Sequence, residues 1–506
     1  MPSRWDLQEQ LADRRADEVL VGPAWVQGPH RMALAYPSPY RAGMSSLGFQ
    51  WVLRQVRDAG IAAERAFLPD DPEAWRQARL SPCTIESQTP LGDFPIIAIS
   101  LAYELELAGL VELLEDSGIP PLRKDRGPQH PVILLGGPIT FSNPVPAAAF
   151  ADALLLGEAD ETIAPAATAW FARKDREQWL DVIEALPGGY VPERHGARLP
   201  PVAKATDALL PARSMIWTPH TELSNMFLLE GERGCHRTCT FCVMRRSTNG
   251  GMRLVSPERI MDLIPDHAPK VGLVGAAISD HPRLVDLLET IVASGKGVGV
   301  SSLRADRVAR KPRIAQLLRE SGARTLTVAS DAASQRLRRV ISKGTSEKNL
   351  IECARQSGEL GFDVLKVYMM VGIPGEEDLD MDELISFTTE LAAHSRIALG
   401  IAPFVAKRMT PLDGTPFAGI KTVERRLKII KQGLRTLGGR VDVRATSARW
   451  AWVEYVLAQG GEAAGAAVVE AVHRGGRFAD YKRAFKALPP SDVRPWVAAG
   501  EAPLAM

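Results

Sequence analysis

The sequence predicts an α/β protein in which two strand-and-helix domains follow one another and a small helical region closes the chain. Three observations predict it. Short apolar runs such as "FPIIAISLAYE" and "HPVILLGGP" end in turn residues and alternate with amphipathic stretches, the pattern of parallel strands covered on both faces by helices. The alternation stops in a proline-rich stretch near 190–222 and then resumes. The 506 residues exceed what one core ordinarily supports, so two or three domains are expected.

Taken in order, residues 1–30 read as a polar arm or helix. Over 31–190 come the strand "RMALAYP", then "GMSSLGFQWVLRQVRDAG" with Phe49, Val52, Leu53 and Val56 on one helical face. The strand "FPIIAISLAYE", the helical "LAGLVELLEDSG" and the strands "HPVILLGGP" and "ADALLLGE" complete a Rossmann- or flavodoxin-like parallel sheet. Residues 191–222, with Pro200, Pro201, Pro211 and Pro219, read as a linker. Over 223–445 strands recur at "NMFLLEGERGC", "KVGLVGAA", "GVGVSSLRAD", "RTLTVASD", "DVLKVYMMVGIPG" and "RIALGIAPFV". These six βα units predict a partial (β/α)6 TIM-like barrel, whose site belongs at the carboxyl ends of the strands. Ser256 suits the N-cap of "SPERIMDLI" and Pro257 its first turn. Residues 446–506 read as helices, "ARWAWVEYVLAQ", "EAAGAAVVEAVHRG" and "ADYKRAFKALPP", the last ending before Pro489.

Apolar residues make up 45% and charged residues 24%, as in soluble globular proteins. The formal net charge of +1 gives no field that would gather nucleic acid or an anionic membrane. No apolar run reaches the length of about 18 residues that a membrane span needs, and the charged start lacks the apolar centre of a signal peptide. A cytoplasmic location is expected. The helix "TVERRLKIIKQGLRTLGGR" is basic, but Leu427, Ile430, Leu434 and Leu437 form an apolar stripe, so its charges read as a solvated face. Asp280-His281 before Pro282 reads as a turn.

Cys83 and Cys353 stand alone and read as small buried hydrophobes. Cys235, Cys239 and Cys242 are different: "GERGCHRTCTFCVMRRS" spaces them C-x3-C-x2-C directly after a strand. Thiolates are soft ligands for an iron–sulfur cluster or zinc. A four-iron cluster usually takes four cysteines, and three leave one iron open to a substrate. Structural zinc wants four ligands, and His236 is awkwardly adjacent to Cys235 for that role.

The spacing, with Phe241 just before the third cysteine, resembles the radical S-adenosylmethionine superfamily. That resemblance implies a [4Fe-4S] cluster on Cys235, Cys239 and Cys242 whose open iron chelates S-adenosylmethionine. Reduction then breaks a carbon–sulfur bond to give methionine and a 5′-deoxyadenosyl radical. It implies S-adenosylmethionine contacts at Phe241; at Gly275 and Ala276, where the family's strand-end glutamate is absent; at Ser301, Ser302 and Arg304; at Asp331, where the family usually has glutamate; and at Lys366, Gly372 and Pro374. It implies an electron donor such as flavodoxin or ferredoxin.

A Rossmann-like domain before such a barrel resembles the superfamily's cobalamin-dependent branch, and "ALAYPSPYRAGMSSLGFQWVL", "FVAKRMTPLDGTPF" and "ARWAWVEYVLAQGG" look like signatures of proteins with a degenerate B12-binding-like domain. The resemblance implies cobalamin contacts at Gly43, Ser45, Ser46, Ser100, Gly136 and Gly137. Histidine ligation is not expected, since the histidine motif is missing and His30 is the only histidine among the first 129 residues. The implied reaction is methyl transfer to an unactivated carbon of a small or otherwise unspecified substrate. The alternatives are a cobalamin-free radical enzyme acting on tRNA or protein, and a non-catalytic iron–sulfur or zinc protein.

Overall fold

The structure, a computed structural model, describes residues 3–173, 175–244 and 251–488. They divide into two compact units, residues 3–225 with 456–488 and residues 226–455.

The first unit is built on one sheet. Its strands are β1 (Arg31–Tyr36), β2 (Ala62–Phe67), β3 (Ile96–Ser100), β4 (Val132–Gly136), β5 (Ala153–Leu155) and β6 (Gly189–Tyr190), in the order β2-β1-β3-β4-β5-β6. The first five run parallel and β6 closes the edge antiparallel. The strand order reverses between β1 and β3, which opens a crevice at their carboxyl ends. Sequence reading missed β2, "AAERAF". Its Glu64 and Arg65 break the apolar run, yet both side chains are fully buried because each meets partners of opposite charge. The helix Leu47–Asp58 starts where Ser46 Oγ accepts the Phe49 N–H, and it buries Phe49, Leu53 and Val56 as its periodicity predicts.

The C-terminal helices do not stand apart. From Val456 the chain belongs to the first unit. Asn143, fully buried, donates to the carbonyls of Leu457, Ala458 and Gly460 at 3.1, 3.1 and 2.8 Å. The helix Glu462–His473 passes so close to Pro146 that a Cβ on Gly465 would lie 1.9 Å from its carbonyl oxygen. Gly465→Ala is therefore expected to force the two segments apart and to lower stability by about 1–3 kcal/mol, read as an earlier urea midpoint with an unchanged slope. Pro489 lies outside the described residues.

The second unit carries β7 (Phe227–Glu230), β8 (Lys270–Val274), β9 (Gly297–Val300), β10 (Thr325–Asp331), β11 (Val364–Val371), β12 (Ile397–Pro403) and β13 (Val441–Ala445). They form two parallel sheets, β9-β8-β7 and β10-β11-β12-β13, linked by a parallel bridge between Leu303 and Val328. Six strands match the predicted runs. The seventh, β13, is mostly half-buried and carries no apolar run, so its sequence gave little signal. Ser256 caps its helix through the Arg259 N–H as expected. In the helix Ile420–Gly433 the stripe of Leu427 and Ile430, continued by Leu434, is buried. Among the described residues no helix is long and apolar enough to cross a membrane.

Candidate active site at the cysteine loop

β7 feeds the loop directly. After Gly231, residues Glu232–Gly234 pair antiparallel with Met252–Leu254, and Cys235 follows at once. The middle of the loop is held from two sides. The Thr240 N–H donates to the Ile341 carbonyl at 3.1 Å, and the Leu412 N–H donates to the Thr240 carbonyl at 3.2 Å. These partners come from the chain that follows β10 and β12, so segments beyond the carboxyl ends of two strands fix the cysteines. Within the loop the Cys242 N–H donates to the Cys239 carbonyl at 3.3 Å, and the Arg237 N–H lies 3.4 Å from Cys235 Sγ.

Ion pairs surround the thiols. Asp280, its side chain fully buried, accepts both arms of Arg237 at 2.8 and 2.7 Å and Arg307 at 2.6 Å, with Arg304 at 3.7 Å. Burial alone would raise its carboxyl, but the Arg237 and Arg307 hydrogen bonds and the Arg304 charge hold it down to about 2. The expected simple turn at Asp280-His281 is thus also an anchor for the loop. Asp331, at φ 60° at the end of β10, is ion-paired with Lys343. Burial pushes the Cys239 and Cys242 thiols up; Cys235 adds to both and Cys239 to Cys242, while Lys343 and Arg304 pull Cys239 back down.

The other candidates fall into four groups. Gly275 and Ala276 end β8, with a Cβ on Gly275 only 2.4 Å from Glu232 Oε1. Ser301 and Ser302 are exposed just past β9. Phe241 is half-buried in the loop. Gly372 (φ 90°) and Pro374 form the turn after β11, held by Glu376, which accepts the Gly372 N–H at 2.5 Å and Arg426 at 2.7 Å. Burial pushes Glu376 up to about 7 despite Arg426.

Two candidates are placed otherwise. Arg304 is buried, with Asp306 at 2.9 Å and Asp280 at 3.7 Å, while its Nε and Nη2 have no hydrogen-bond partner among the described residues. Lys366 does share a strand face with Tyr368, its Nζ 4.7 Å from the ring centre, but it lies five residues before the end of β11, away from the Gly372 turn.

In the first unit Ser100 and Gly136 are register partners on β3 and β4, and a Cβ on Gly137 (φ 100°) would lie 2.9 Å from Ser100 Oγ. Those three meet at the carboxyl end of the sheet. Gly43 instead packs under Phe67, where a Cβ would come within 2.4 Å of the ring. Ser46 is consumed as a helix cap, and Ser45 donates to the Arg41 carbonyl at 2.8 Å and accepts the Glu222 N–H at 3.0 Å. His30 precedes the amino end of β1 and stacks on Phe171, at the opposite end of the strand from the crevice.

Sequence reading missed Glu232, Lys343, Glu376, Arg237 and Arg307. Their partners come from separated segments, so no local spacing marks them. The donor set suits an iron–sulfur cluster: three soft thiol ligands on one clamped loop. Among the described residues no three His, Cys, Asp or Glu side chains converge on one metal ion. A cubane does not require that convergence, because each thiolate binds a separate iron.

Known proteins match this arrangement. Residues 48–192 match the family model described as radical SAM proteins, N-terminal, and residues 231–388 match that of the radical SAM superfamily. The uncharacterized protein MJ0966 of Methanocaldococcus jannaschii is 26% identical over 420 residues, 81% of this chain and 85% of that protein. The solved structure of the radical S-adenosylmethionine methyltransferase TsrM from Kitasatospora setae, with cobalamin and a [4Fe-4S] cluster bound, is similar in fold, with a TM-score of 0.51 at 14% identity over 78% of this chain and 75% of that one. The cobalamin-dependent S-adenosylmethionine radical enzyme OxsB matches at a TM-score of 0.46 and 15% identity, over 79% and 56%. The two family models define the class of protein, a radical SAM enzyme, and the chain belongs to that superfamily. The [4Fe-4S] cluster and S-adenosylmethionine are the cofactors of that superfamily.

Proposed function

We propose that this enzyme holds a [4Fe-4S] cluster on Cys235, Cys239 and Cys242, cleaves S-adenosylmethionine reductively, and uses cobalamin to transfer a methyl group to an unactivated carbon. The observation that carries the first part is the clamped loop, which offers three cysteines and no fourth at the carboxyl end of a parallel strand. The strand series of the second unit is read as an incomplete TIM-like barrel, in which such ends form the site. Bound there, the cluster and S-adenosylmethionine supply one-electron cleavage of the sulfonium to a 5′-deoxyadenosyl radical. The chain's own residues position and shield. Asp280 orients the loop through Arg237. Gly275 makes room for the Glu232 carboxylate, and Gly372, at positive φ, allows the tight turn after β11. Asp331 and Lys343 form a charged pair beside the thiols.

Cobalamin is supported by the sheet of the first unit. Its order, β2-β1-β3-β4-β5, is that of flavodoxin-like folds, which bind ligands beyond the strand ends at the reversal point. Ser100, Gly136 and Gly137 gather at that end, and TsrM, a likeness in fold, holds cobalamin. His30 stacks on Phe171 before the amino end of β1, away from that crevice. A flavodoxin or ferredoxin is the proposed electron donor.

The test is anaerobic reconstitution followed by incubation with reductant and S-adenosylmethionine. 5′-Deoxyadenosine and about four irons per chain are expected. Loss of both, with zinc found instead, overturns the reading. Cobalamin absorbance retained through purification supports the methyl-transfer reading, and its absence after loading with cobalamin supports a cobalamin-free radical reaction.

A further inference from the structure

Four carboxylates lie on or beside the cysteine loop, and three of them have a cation. Glu230 meets Arg233 at 2.8 Å, Asp280 meets Arg237 at 2.7 Å, and Asp331 meets Lys343. Glu232 has none. Its residue is 1% exposed, Oε1 accepts the Ala277 N–H at 2.6 Å, and Oε2 is buried with no hydrogen-bond partner. Its carboxyl is pushed up to about 7, first by burial and then by the negative charges of Glu230 and Asp280, with only the Ala277 N–H opposing. A buried acceptor left open loses free energy that a hydrogen-bond donor would restore.

Its place is specific. Glu232 is three residues before Cys235, and its carboxylate rests against Gly275, where the end of β8 lacks an acidic residue of its own. Of the methionyl groups of S-adenosylmethionine, the sulfonium has no hydrogen to donate and the carboxylate only accepts, so the α-amino group is the one that can donate to a buried carboxylate. We propose that Glu232 is the acceptor for an N–H of the α-amino group of S-adenosylmethionine, reaching the end of β8 from the strand that leads into the cysteine loop. This rests on the reading that S-adenosylmethionine binds at the loop.

Equilibrium dialysis of the full, reconstituted chain with its cluster oxidised measures binding without turnover. The two probes are S-adenosylmethionine and the analogue in which hydrogen replaces its α-amino group, which leaves no donor there. Wild type is expected to prefer S-adenosylmethionine. Glu232→Gln is expected to weaken S-adenosylmethionine by about tenfold to a hundredfold and to leave the analogue unchanged, with iron and sulfide content intact. Gly275→Ala, which displaces the carboxylate, is the second variant and is expected to narrow the same preference. Unchanged S-adenosylmethionine affinity in an iron-replete Glu232→Gln overturns the assignment, as does a wild type that binds both probes equally. A wild type with an intact cluster that binds neither probe overturns the underlying reading as well, and is distinguished by that result.

Discussion

Replacing Cys239 by alanine is expected to reduce 5′-deoxyadenosine formation to background and to leave reconstituted protein short of the about four irons of a complete cluster. Cys239 sits next to the doubly clamped Thr240, so the backbone cannot slide another donor into its place. The two remaining cysteines cannot substitute. Cys353 is fully buried, its Sγ 3.4 Å from the Ala305 carbonyl, and burial drives its thiol far above the ordinary range. Cys83 lies in the core of the first unit, its thiol pushed up to about 12 by burial. Cys353→Ala is therefore the control: it is expected to lose about 1 kcal/mol of stability from the vacated volume and to keep its iron and its 5′-deoxyadenosine yield. Because burial raises the Cys239 and Cys242 thiols, the apo loop holds them protonated at neutral pH, and cluster assembly must release those protons. Iron and sulfide content with product analysis by chromatography checks each point. A colourless Cys353→Ala, or an active Cys239→Ala, would count against the three-cysteine assignment.

What the sequence disclosed follows the range of the forces involved. The cysteine triplet is local, and so are the apolar runs of β1, β3, β4 and β5, so spacing and periodicity alone located them. β2 stayed hidden because Glu64 and Arg65 look exposed until Arg31, Glu18 and Glu86 are brought to them from elsewhere in the chain. The site behaves in the same way. Gly372 and Pro374 were legible as a turn, but the Glu376–Arg426 pair that holds it spans fifty positions. The resemblance points Arg304 toward S-adenosylmethionine; the ion pairs it makes with Asp280 and Asp306 emerge only when the chain folds. Gly43 and Ser46 read as ligand contacts in a glycine- and serine-rich loop, yet packing under Phe67 and helix capping claim them first.

The hidden charges of β2 carry the second large effect. Arg65 is fully buried and reaches Glu18 with both arms, at 2.6 and 2.8 Å, and Glu86 at 2.7 Å; Arg57 reaches the same Glu86 oxygen at 2.6 Å, and the Tyr40 hydroxyl donates to Glu18 at 2.6 Å. Two arginines and two carboxylates balance, so the cluster tolerates burial only while complete. Glu86→Gln leaves two guanidinium groups facing one carboxylate and is expected to destabilise the first unit by about 3–5 kcal/mol, a large part of the about 5–15 kcal/mol typical of a domain. Arg57→Met combined with Glu86→Gln keeps the Arg65–Glu18 fork and removes charge in a balanced pair, so it is expected to lose less than the sum of its parts, by about 1–3 kcal/mol. The pH dependence has a definite sign. Burial alone would raise the Glu86 carboxyl, but Arg65 and Arg57 outweigh it and hold it below the ordinary 4.5. Its contribution is therefore complete above about pH 4.5 and disappears as the pH falls through the lower folded value. Wild type should lose stability steeply on acidification over that window, and Glu86→Gln less so. Hydrogen exchange followed peptide by peptide reads residues 31–190 directly, and equal protection there in wild type and Glu86→Gln at pH 7 would mean that the buried cluster does not hold β2 in place.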